Sequence, residues 1–350
     1  MEGFGNTDLG PGGPLSAPPL TPAPVETAAP RHEGLDFVQE KTAQVFEQLE
    51  RVVVGQEEVI RALLVAIYTQ GHALLEGVPG TAKTLMVRAL ARAMNLRFSR
   101  IQFTPDLMPS DVVGTNIFDM QRSQFTLRQG PVFTDLLLAD EINRSPAKTQ
   151  AALLEAMQER RCTIDGAPYE LSDSFTVFAT QNPIEYEGTY PLPEAQLDRF
   201  MMKVLVSYPH ASEEERLLER YNQGEEPHNV EDSAIQPVMS AADVERCRQV
   251  VKALRMKSEL VGYIRRLITA TRESDDILVG AGPRGGIHLL MAAKATAAFA
   301  GRDFATPDDI QSMVLPTLRH RIVLQPEAEA SGLGPDDVLR SLLQRVEVPR

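Results

Sequence analysis

The spacing of hydrophobic and polar residues predicts two kinds of element in the first two thirds of the chain. Short apolar runs, typical of strands buried on both faces of a parallel sheet, lie at 73–76, 98–103, 134–139 and 174–180. Stretches with a helical period separate them, at 57–70, 83–94, 147–159 and 193–202. Alternating strands and helices predict an α/β fold whose parallel sheet is covered on both faces.

The pattern in the rest of the chain predicts helices. Long amphipathic stretches lie at 240–254, 258–273, 284–299 and 307–315. We therefore predict an α/β nucleotide-binding domain at 35–222, followed by a small α-helical lid domain at 229–350.

Three pairs of residues between 212 and 309 have the spacing that begins helices. They are Ser212 with Glu215, Ser240 with Asp243, and Thr306 with Asp309. The third pair encloses a proline, which suits the first turn of a helix because that turn needs no N–H donor there. We expect a helix to begin at each pair.

Residues 1 to 34 are dense in Pro, Gly, Ala and Thr and contain few large apolar side chains. Such a segment buries too little apolar surface to offset the entropy lost on ordering. It is interpreted as a disordered tail. A short motif that binds a partner is the alternative.

Two segments interrupt the alternation of strands and helices. Residues 104–127 combine a helical piece with short extended pieces, which suggests an insertion outside the main sheet. In residues 161–173, Asp165 and Gly166 stand between alternating flanks, which is a strong hairpin signal. We expect both segments to be ordered excursions from the sheet; solvent-facing loops are the alternative.

A glycine-rich loop supplies the first chemical signal. It directly follows the predicted strand at 73–76 and reads Gly77-Val78-Pro79-Gly80-Thr81-Ala82-Lys83-Thr84. Backbone N–H groups in such a loop can surround a polyphosphate at a helix N-terminus, while the lysine reaches the phosphates and the threonine reaches Mg²⁺. Alanine stands where the usual pattern has a second glycine, which weakens the match because alanine lacks glycine's conformational freedom. The alternative is an ordinary Gly/Pro turn before a helix.

Two adjacent carboxylates, Asp140 and Glu141, follow the apolar run at 134–139. Asp140 is placed to hold the metal ion through water, and Glu141 is placed to orient or deprotonate an attacking water molecule. A strand that merely exits into a polar loop would need no such pair. Together with the glycine-rich loop, the pair predicts ATP hydrolysis.

The amino-acid composition bears on which partners the protein binds and on where in the cell it is found. The net charge is −13, and no block of five or more basic residues is present. This disfavours a nucleic-acid motor, which needs lysines and arginines for phosphate contacts. Cys162 and Cys247 fit reduced thiols, the histidines lack metal-binding spacing, and no apolar stretch approaches the roughly 20 residues of a membrane span. We predict a cytoplasmic protein.

Taken together, these segments resemble the AAA+ ATPases and, among them, the MoxR family. The resemblance extends from about Leu35 to Leu324. It is carried by Val53-Val54-Gly55-Gln56, Leu75-Glu76-Gly77-Val78-Pro79-Gly80, Thr104-Pro105-Asp106-Leu107-Met108-Pro109-Ser110-Asp111, Leu153-Leu154-Glu155-Ala156-Met157, Ala179-Thr180-Gln181-Asn182-Pro183 and Pro193-Glu194-Ala195-Gln196-Leu197-Asp198-Arg199-Phe200. Ala82 then looks like a trait of the family. The segment at 104–127 matches the helix-2 insert, and the hairpin at Asp165 matches the pre-sensor-1 hairpin.

The resemblance also assigns residue roles. Asn182 matches sensor 1, Arg199 matches an arginine finger supplied to the neighbouring subunit, and Arg284 matches sensor 2. Without the resemblance, Asn182 reads as a turn residue and Arg199 as part of a surface ion pair with Asp198. The implied catalytic set is Lys83, Glu141, Asn182 and Arg199, and the implied metal-holding pair is Thr84 and Asp140. The implied ATP-binding set is Gly55, Gln56, Gly77, Val78, Pro79, Gly80, Thr81, Ala82, Lys83, Thr84, Leu85 and Arg284.

Arg144 and Arg284 are the other two arginines with candidate roles in the site. Arg144 lies close after the acidic pair and is a second candidate for a contact between subunits. Arg284 is predicted at a helix start, where the helix dipole disfavours a cation, so a bound phosphate would explain its presence.

The resemblance implies a hexameric, Mg²⁺-dependent ATPase that remodels or matures other proteins, with von Willebrand factor A domain proteins as partners. Two alternatives remain open at this point. The first is a nucleotide-gated assembly scaffold, although such a scaffold would not need Glu141, Asn182 and Arg199. The second is a nucleic-acid motor or a chelatase motor subunit, and the acidic composition disfavours its nucleic-acid form.

Overall fold

The computed structural model describes residues 34–183, 189–224 and 235–349. The predicted tail therefore lies outside the described residues except for Gly34, and the predicted boundary between the domains lies partly outside them.

The α/β part is organised around a five-stranded parallel sheet with the strand order β2-β5-β8-β1-β9. Its strands are β1 (Ala73–Glu76), β2 (Phe98–Gln102), β5 (Leu136–Asp140), β8 (Thr176–Gln181) and β9 (Met202–Leu205). The first four correspond to the apolar runs at 73–76, 98–103, 134–139 and 174–180, which confirms the predicted parallel sheet. The fifth strand corrects the sequence analysis.

The predicted helix at 193–202 is wrong over its second half. A short helix, α6, covers only Glu194–Leu197, and residues 202–205 form the edge strand β9. Met202 and Val204 alternate with more exposed neighbours, and the strand pairs with β1. The alternation of buried and more exposed residues in this short run suits a strand, and the run forms one because it can pair with the edge of β1.

Helices cover both faces of the sheet. In the α/β part they are α1 (Leu35–Glu50), α2 (Glu57–Tyr68), α3 (Lys83–Ala93), α4 (Pro109–Val113), α5 (Ala147–Glu159), α6 and α7 (Ala211–Asn222). Leu136 and Leu138 of β5 belong to one apolar cluster, and Leu137 and Ala139 belong to another. This alternation is what a strand buried on both faces requires.

The two interruptions are ordered hairpins outside the main sheet, as expected. In the first, α4 is followed by β3 (Gly114–Asp119) and β4 (Gln124–Gln129), which pair antiparallel. In the second, β6 (Arg161–Ile164) and β7 (Ala167–Glu170) are joined by Asp165 and Gly166. Both turn residues have positive φ, 49° and 81°, as a two-residue hairpin turn demands.

The C-terminal part is helical apart from a small two-stranded sheet. Its elements are α8 (Ala241–Ala253), α9 (Ser258–Glu273), β10 (Ile277–Val279), α10 (Pro283–Phe299), α11 (Pro307–Leu318), β11 (Val323–Leu324), α12 (Pro326–Ala330) and α13 (Pro335–Arg345). Its core residues belong to the same apolar cluster as those of α1, α2 and α3. The helices of this part therefore pack against one face of the α/β part.

Two of the three predicted helix starts are confirmed. The side chains of Ser240 and Thr306 accept hydrogen bonds from the N–H groups of Asp243 and Asp309. The start predicted at Ser212 with Glu215 is wrong, because α7 already begins at Ala211. The first turn of α7 is capped by the Glu213 carboxylate, which accepts from the N–H of His210 at 2.9 Å. None of the helices in the described ranges is long and apolar enough to cross a bilayer.

Candidate active site

The glycine-rich loop connects the end of β1 to the start of α3. At Gly77 a side chain cannot be accommodated, because a Cβ atom there would lie 2.3 Å from the carbonyl oxygen of Val206. Gly80 has a φ of 84°, in the region that favours glycine. The loop therefore passes close to β9 and turns into the N-terminus of α3.

Ala82 adopts the left-handed conformation that the sequence analysis identified as difficult for alanine. Its φ is 59° and its ψ is 20°, and it is the residue immediately before α3. Such a conformation costs an L-residue on the order of 1–2 kcal/mol. The loop thus keeps the backbone geometry of a glycine at this position without having one.

Lys83 lies over the loop. Its Nζ donates to the carbonyl oxygens of Gly77 at 2.9 Å and Val78 at 2.7 Å. Partial burial lowers the pKa of Lys83, and the carboxylates of Asp140 and Glu141 oppose this shift. The amine is therefore held where a phosphate could replace the two carbonyl groups as its partner.

Asp140 ends β5 and contacts three neighbouring elements. The Thr84 hydroxyl lies 3.5 Å from its Oδ2, and the buried Thr180 hydroxyl donates to its Oδ1. Arg100 of β2 donates to Oδ2 from Nη2 at 2.6 Å. The predicted metal-holding pair thus lies side by side, and an arginine that the sequence analysis missed neutralises its carboxylate.

Glu141 is positioned by its backbone and by two polar side chains. Its φ is 55°, and its N–H donates to the Thr180 hydroxyl at 2.8 Å. Its Oε2 accepts from Gln102 Nε2 at 2.7 Å and from Arg144 Nη1 at 3.0 Å. Arg144, predicted as a candidate for a contact between subunits, therefore contacts a carboxylate of its own chain.

Gln102 and Arg100 were missed by the sequence analysis, although a signal was present. They alternate with less polar residues along β2, so their side chains lie on the same face of the strand. Because β2 pairs with β5 and Gln102 is opposite Asp140, both side chains reach the acidic pair. The pairing of strands, which the sequence did not give, was needed to place them there.

A cavity of about 300 Å³ gathers most of the predicted site. It lies at the carboxyl ends of β1, β8 and β5, which are neighbours in the sheet. Ligands of open α/β sheets bind outside the carboxyl ends of the strands. The lining residues are Gly77, Pro79, Gly80, Thr81, Ala82, Lys83, Thr84, Leu85, Asp140, Glu141, Thr180, Gln181 and Asn182.

The donor atoms of this cavity suit a magnesium ion that is shared with a nucleotide. Across the described ranges, no cluster of three or more histidine, cysteine or acidic side chains could hold a metal alone. Mg²⁺ is usually held by one or two protein oxygens together with substrate phosphates and water. Thr84 and Asp140 supply oxygens of this kind, so the residues fit the group.

Gly55 and Gln56, which belong to the implied ATP-binding set, lie beside a second and larger cavity. Gln56 has a φ of 66°, and its side chain donates to the carbonyl oxygen of Ser207 at 2.8 Å. This cavity of about 960 Å³ is lined by Gln56, by residues that follow β9 and by one side of α11, including Met313. Gly55 packs under Glu213, whose carboxylate would have to move to accommodate a Cβ atom.

Arg199 is not among the described residues that line the phosphate cavity. Its Nη1 donates to the carbonyl oxygen of Leu154 at 2.9 Å, and it lines a separate cavity of about 290 Å³ beside α5. The structure thus places the predicted finger apart from the phosphate loop of its own chain.

Arg284 also lies outside the set of described residues that line the phosphate cavity. It occupies the first turn of α10, and its Nη1 lies 3.0 Å from Oδ2 of Asp198. The anion that accompanies this arginine is therefore the carboxylate next to Arg199 in sequence. Arg284 and Arg199 consequently belong to one local region.

Arg321 was missed altogether by the sequence analysis. Its side chain is 1% exposed, and it donates from Nε to Oδ1 of Asp198 at 2.9 Å. Burial lowers the pKa of Arg321 to about 10, with the carboxylate of Asp198 acting in the opposite direction. Nothing in the local sequence distinguishes this arginine from its neighbour Arg319, because its partners lie far away along the chain.

Comparisons with known proteins agree on the identity of both parts. Residues 72–202 match the profile of the ATPase family associated with various cellular activities (AAA), and residues 269–342 match an AAA lid domain. The Bacillus subtilis protein YeaC is 45% identical, with 87% of this chain and 93% of that protein covered.

Two relatives carry a family name. Chaperone MoxR1 of Mycobacterium tuberculosis is 39% identical over 100% of this chain and 94% of its own length. Protein MoxR of Paracoccus denitrificans is 33% identical over 80% of this chain and 88% of its own length. The crystal structure of a Cytophaga hutchinsonii protein matches with a TM-score of 0.83 and 43% identity, covering 91% of this chain and 98% of that one.

Proposed function

This chain belongs to the MoxR family of AAA+ ATPases, and we propose that it is a Mg²⁺-dependent hexamer that remodels or matures partner proteins. Residues 35–222 would act as the nucleotide-binding domain and residues 229–350 as the lid. The matches to an AAA profile within the first range and to an AAA lid within the second support this division. Location in the cytoplasm stays a prediction from the sequence.

The observation that carries the proposal is the convergence of Lys83, Glu141 and Asn182 on one cavity. Lys83 exchanges its carbonyl partners for the phosphates of ATP. Glu141, held by Gln102 and Arg144, accepts a proton from the attacking water. Asn182 orients this water towards the terminal phosphate. A pure scaffold would not need this set.

Thr84 and Asp140 would hold the magnesium ion. When bound, the ion supplies positive charge that offsets the charge developing on the phosphates. Thr180 fixes the orientation of Asp140 and also accepts from the backbone of Glu141, so one hydroxyl aligns both carboxylates.

Arg199 and Arg284 complete the site of the neighbouring subunit. Both lie outside the phosphate cavity of their own chain, and Asp198 connects them. An arginine supplied in trans stabilises charge that develops only in the transition state and contributes about 10³–10⁵ in rate. Oligomer formation is therefore a condition for full activity.

The partner class follows from the family. One relative is named a chaperone, and the resemblance implies partners with a von Willebrand factor A domain. Such a partner would be held by the ATP-bound form and released after hydrolysis. Affinity purification with the Glu141→Gln variant in ATP should enrich a protein with this domain, compared with the Lys83→Ala variant. Equal recovery with both variants would contradict nucleotide-controlled binding.

A mixing experiment tests the shared site. Arg199→Ala has an intact phosphate cavity and no finger, whereas Lys83→Ala has a finger and a defective cavity. Each should be nearly inactive alone, and a mixture should recover part of the activity because some interfaces pair a good cavity with a good finger. Mixed oligomers are verified by co-purification through a tag on one variant. If verified mixed oligomers show no recovery, the shared site is excluded.

A further inference from the structure

The segment that carries Arg199 follows the short helix α6, and its backbone carbonyl groups need hydrogen-bond donors from elsewhere. α6 ends at Leu197, so the carbonyl groups of the residues that follow it have no partner within a helix. The carbonyl oxygens of Asp198, Phe200 and Met201, which surround Arg199 in sequence, are directed towards the helical C-terminal part.

Arg321 accounts for all three of these carbonyl groups. Its Nη2 donates to the oxygens of Asp198 at 3.1 Å and Phe200 at 2.6 Å, and its Nη1 donates to that of Met201 at 3.1 Å. Its Nε donates to the Asp198 side chain. One buried guanidinium group therefore holds the backbone on both sides of Arg199 and the side chain beside it.

Neighbouring residues strengthen this contact. His320 contacts the carbonyl oxygen of Phe200 through Nε2 at 3.1 Å, and Nδ1 of His288 lies 2.7 Å from Nη2 of Arg321. Both Arg321 and His320 follow directly after α11, the helix that lines the cavity beside Gln56. The segment of the finger is thus attached to the helix that faces the larger cavity of its own chain.

We infer that Arg321 is the positioning residue of the arginine finger: it fixes the backbone of residues 198–201 so that Arg199 is presented to the neighbouring subunit's cavity. This inference rests on the proposed role of Arg199 in trans. Arg321 belongs to the lid of its own chain, and in this role it supports catalysis in the neighbouring chain. Arg321 itself contacts no reacting group.

The geometry of the guanidinium group is essential to this role. Arginine donates from five N–H groups in a planar fork, whereas lysine has a single compact ammonium group. Arg321→Lys therefore keeps the charge next to Asp198 but cannot reach three carbonyl groups in different directions. A displacement of about 1 Å at a catalytic group can reduce the rate about 10²-fold.

The test uses complementation between variants of the full-length chain. Arg321→Lys should bind a fluorescent ATP analogue as well as the wild type does, while its kcat falls about 10²-fold. Mixed with Lys83→Ala, it should recover activity, since that variant supplies a correctly held finger. Mixed with Arg199→Ala, it should recover none, since both variants lack an effective finger and both have good cavities.

The opposite pattern would overturn the inference. If Arg321 served its own chain's cavity, Arg321→Lys would be rescued by Arg199→Ala and not by Lys83→Ala. A wild-type kcat for Arg321→Lys would also contradict it. Failure of the shared site itself is recognised separately, because the Arg199→Ala and Lys83→Ala pair would then show no recovery.

Two further variants separate positioning from a general loss of stability. Arg302 makes a comparable ion pair with Asp309 within the lid, at 2.7 Å. Arg302→Lys should lower the melting temperature without a loss of kcat. If Arg321→Lys does not fold, Asp198→Asn keeps the backbone contacts of Arg321 and weakens the side-chain contacts of Asp198 with Arg321 and Arg284. This variant should be rescued by Lys83→Ala and not by Arg199→Ala. Rescue by Arg199→Ala would refute the inference in this variant as well.

Discussion

The phosphate cavity and residues 198–201, the finger segment that carries Arg199, lie in the same α/β part. Their contacts come from different regions of the chain. The cavity is built by residues that directly follow three neighbouring strands, and its polar contacts are made within the sheet and the phosphate loop. The finger segment follows a short helix and is held by Arg321, which lies 123 residues after Asp198. Changes in the lid should therefore affect the finger while leaving the cavity intact.

The largest effect that would sharpen this comparison is expected at Glu141. Glu141→Gln keeps the shape of the side chain and removes its ability to accept a proton, so single-turnover hydrolysis should slow by about 10²–10⁴. The affinity for ATP should stay unchanged. Glu259→Gln, at an exposed position of α9, is the matched control. Hydrolysis at the wild-type rate in Glu141→Gln would show that the base lies elsewhere.

Lys83→Ala should reduce affinity rather than the chemical step alone. A charge-assisted hydrogen bond is worth about 1.5–3 kcal/mol, so the Kd for ATP should rise by about 10–100-fold. Titration with a fluorescent ATP analogue measures the change, and the exposed Lys148→Ala in α5 is the control. An unchanged Kd would mean that the loop binds no phosphate.

Low pH should destabilise the folded chain through two buried histidines. Burial lowers the pKa of His72, below the sheet, to about 4, and it lowers the pKa of His320, beside the finger segment, well below the usual value. Between pH 6.5 and those lower values the unfolded chain binds protons that the folded chain does not, so stability falls as pH falls. From pH 7 to 5, His72 should contribute a loss of about 2 kcal/mol, and His320 should contribute a loss in the same direction.

Denaturant unfolding of His72→Asn and His320→Asn at pH 7 and 5 measures these contributions. Each variant should lose less stability between the two pH values than the wild type does, whereas the exposed His210→Gln should behave like the wild type. A pH dependence identical to that of the wild type in either variant would show that the histidine at that position is not kept neutral by burial.

The smallest effect is expected at Ala82. Glycine would relieve the cost of positive φ, but it would also increase the entropy of the unfolded chain, and these terms nearly cancel. The free energy of unfolding of Ala82→Gly should therefore lie within about 1 kcal/mol of the wild type. Ala82→Val should be clearly less stable because a β-branched residue tolerates this conformation poorly. Equal stability of all three would contradict the strained geometry.

The sequence predicted the strands that carry the cavity and most of its lining, because these signals are local. An apolar run fixes a buried strand, and the residues after it are placed by the strand itself, as Asp140 and Glu141 show. Edge strand β9 was not predicted, and the helix predicted at 193–202 overlaps it at Met202. A short apolar run does not distinguish a strand from a helix until a pairing partner is present.

The sequence by itself thus determined the α/β architecture, the phosphate loop and the acidic pair. Only the tertiary structure decided that Arg100 and Gln102 reach the acidic pair, and that Arg321 holds the segment of Arg199. The physical reason is that these side chains act on partners brought close by strand pairing and helix packing. A single buried arginine produces no periodic pattern along the chain, so its role becomes visible only when its distant partners are in place.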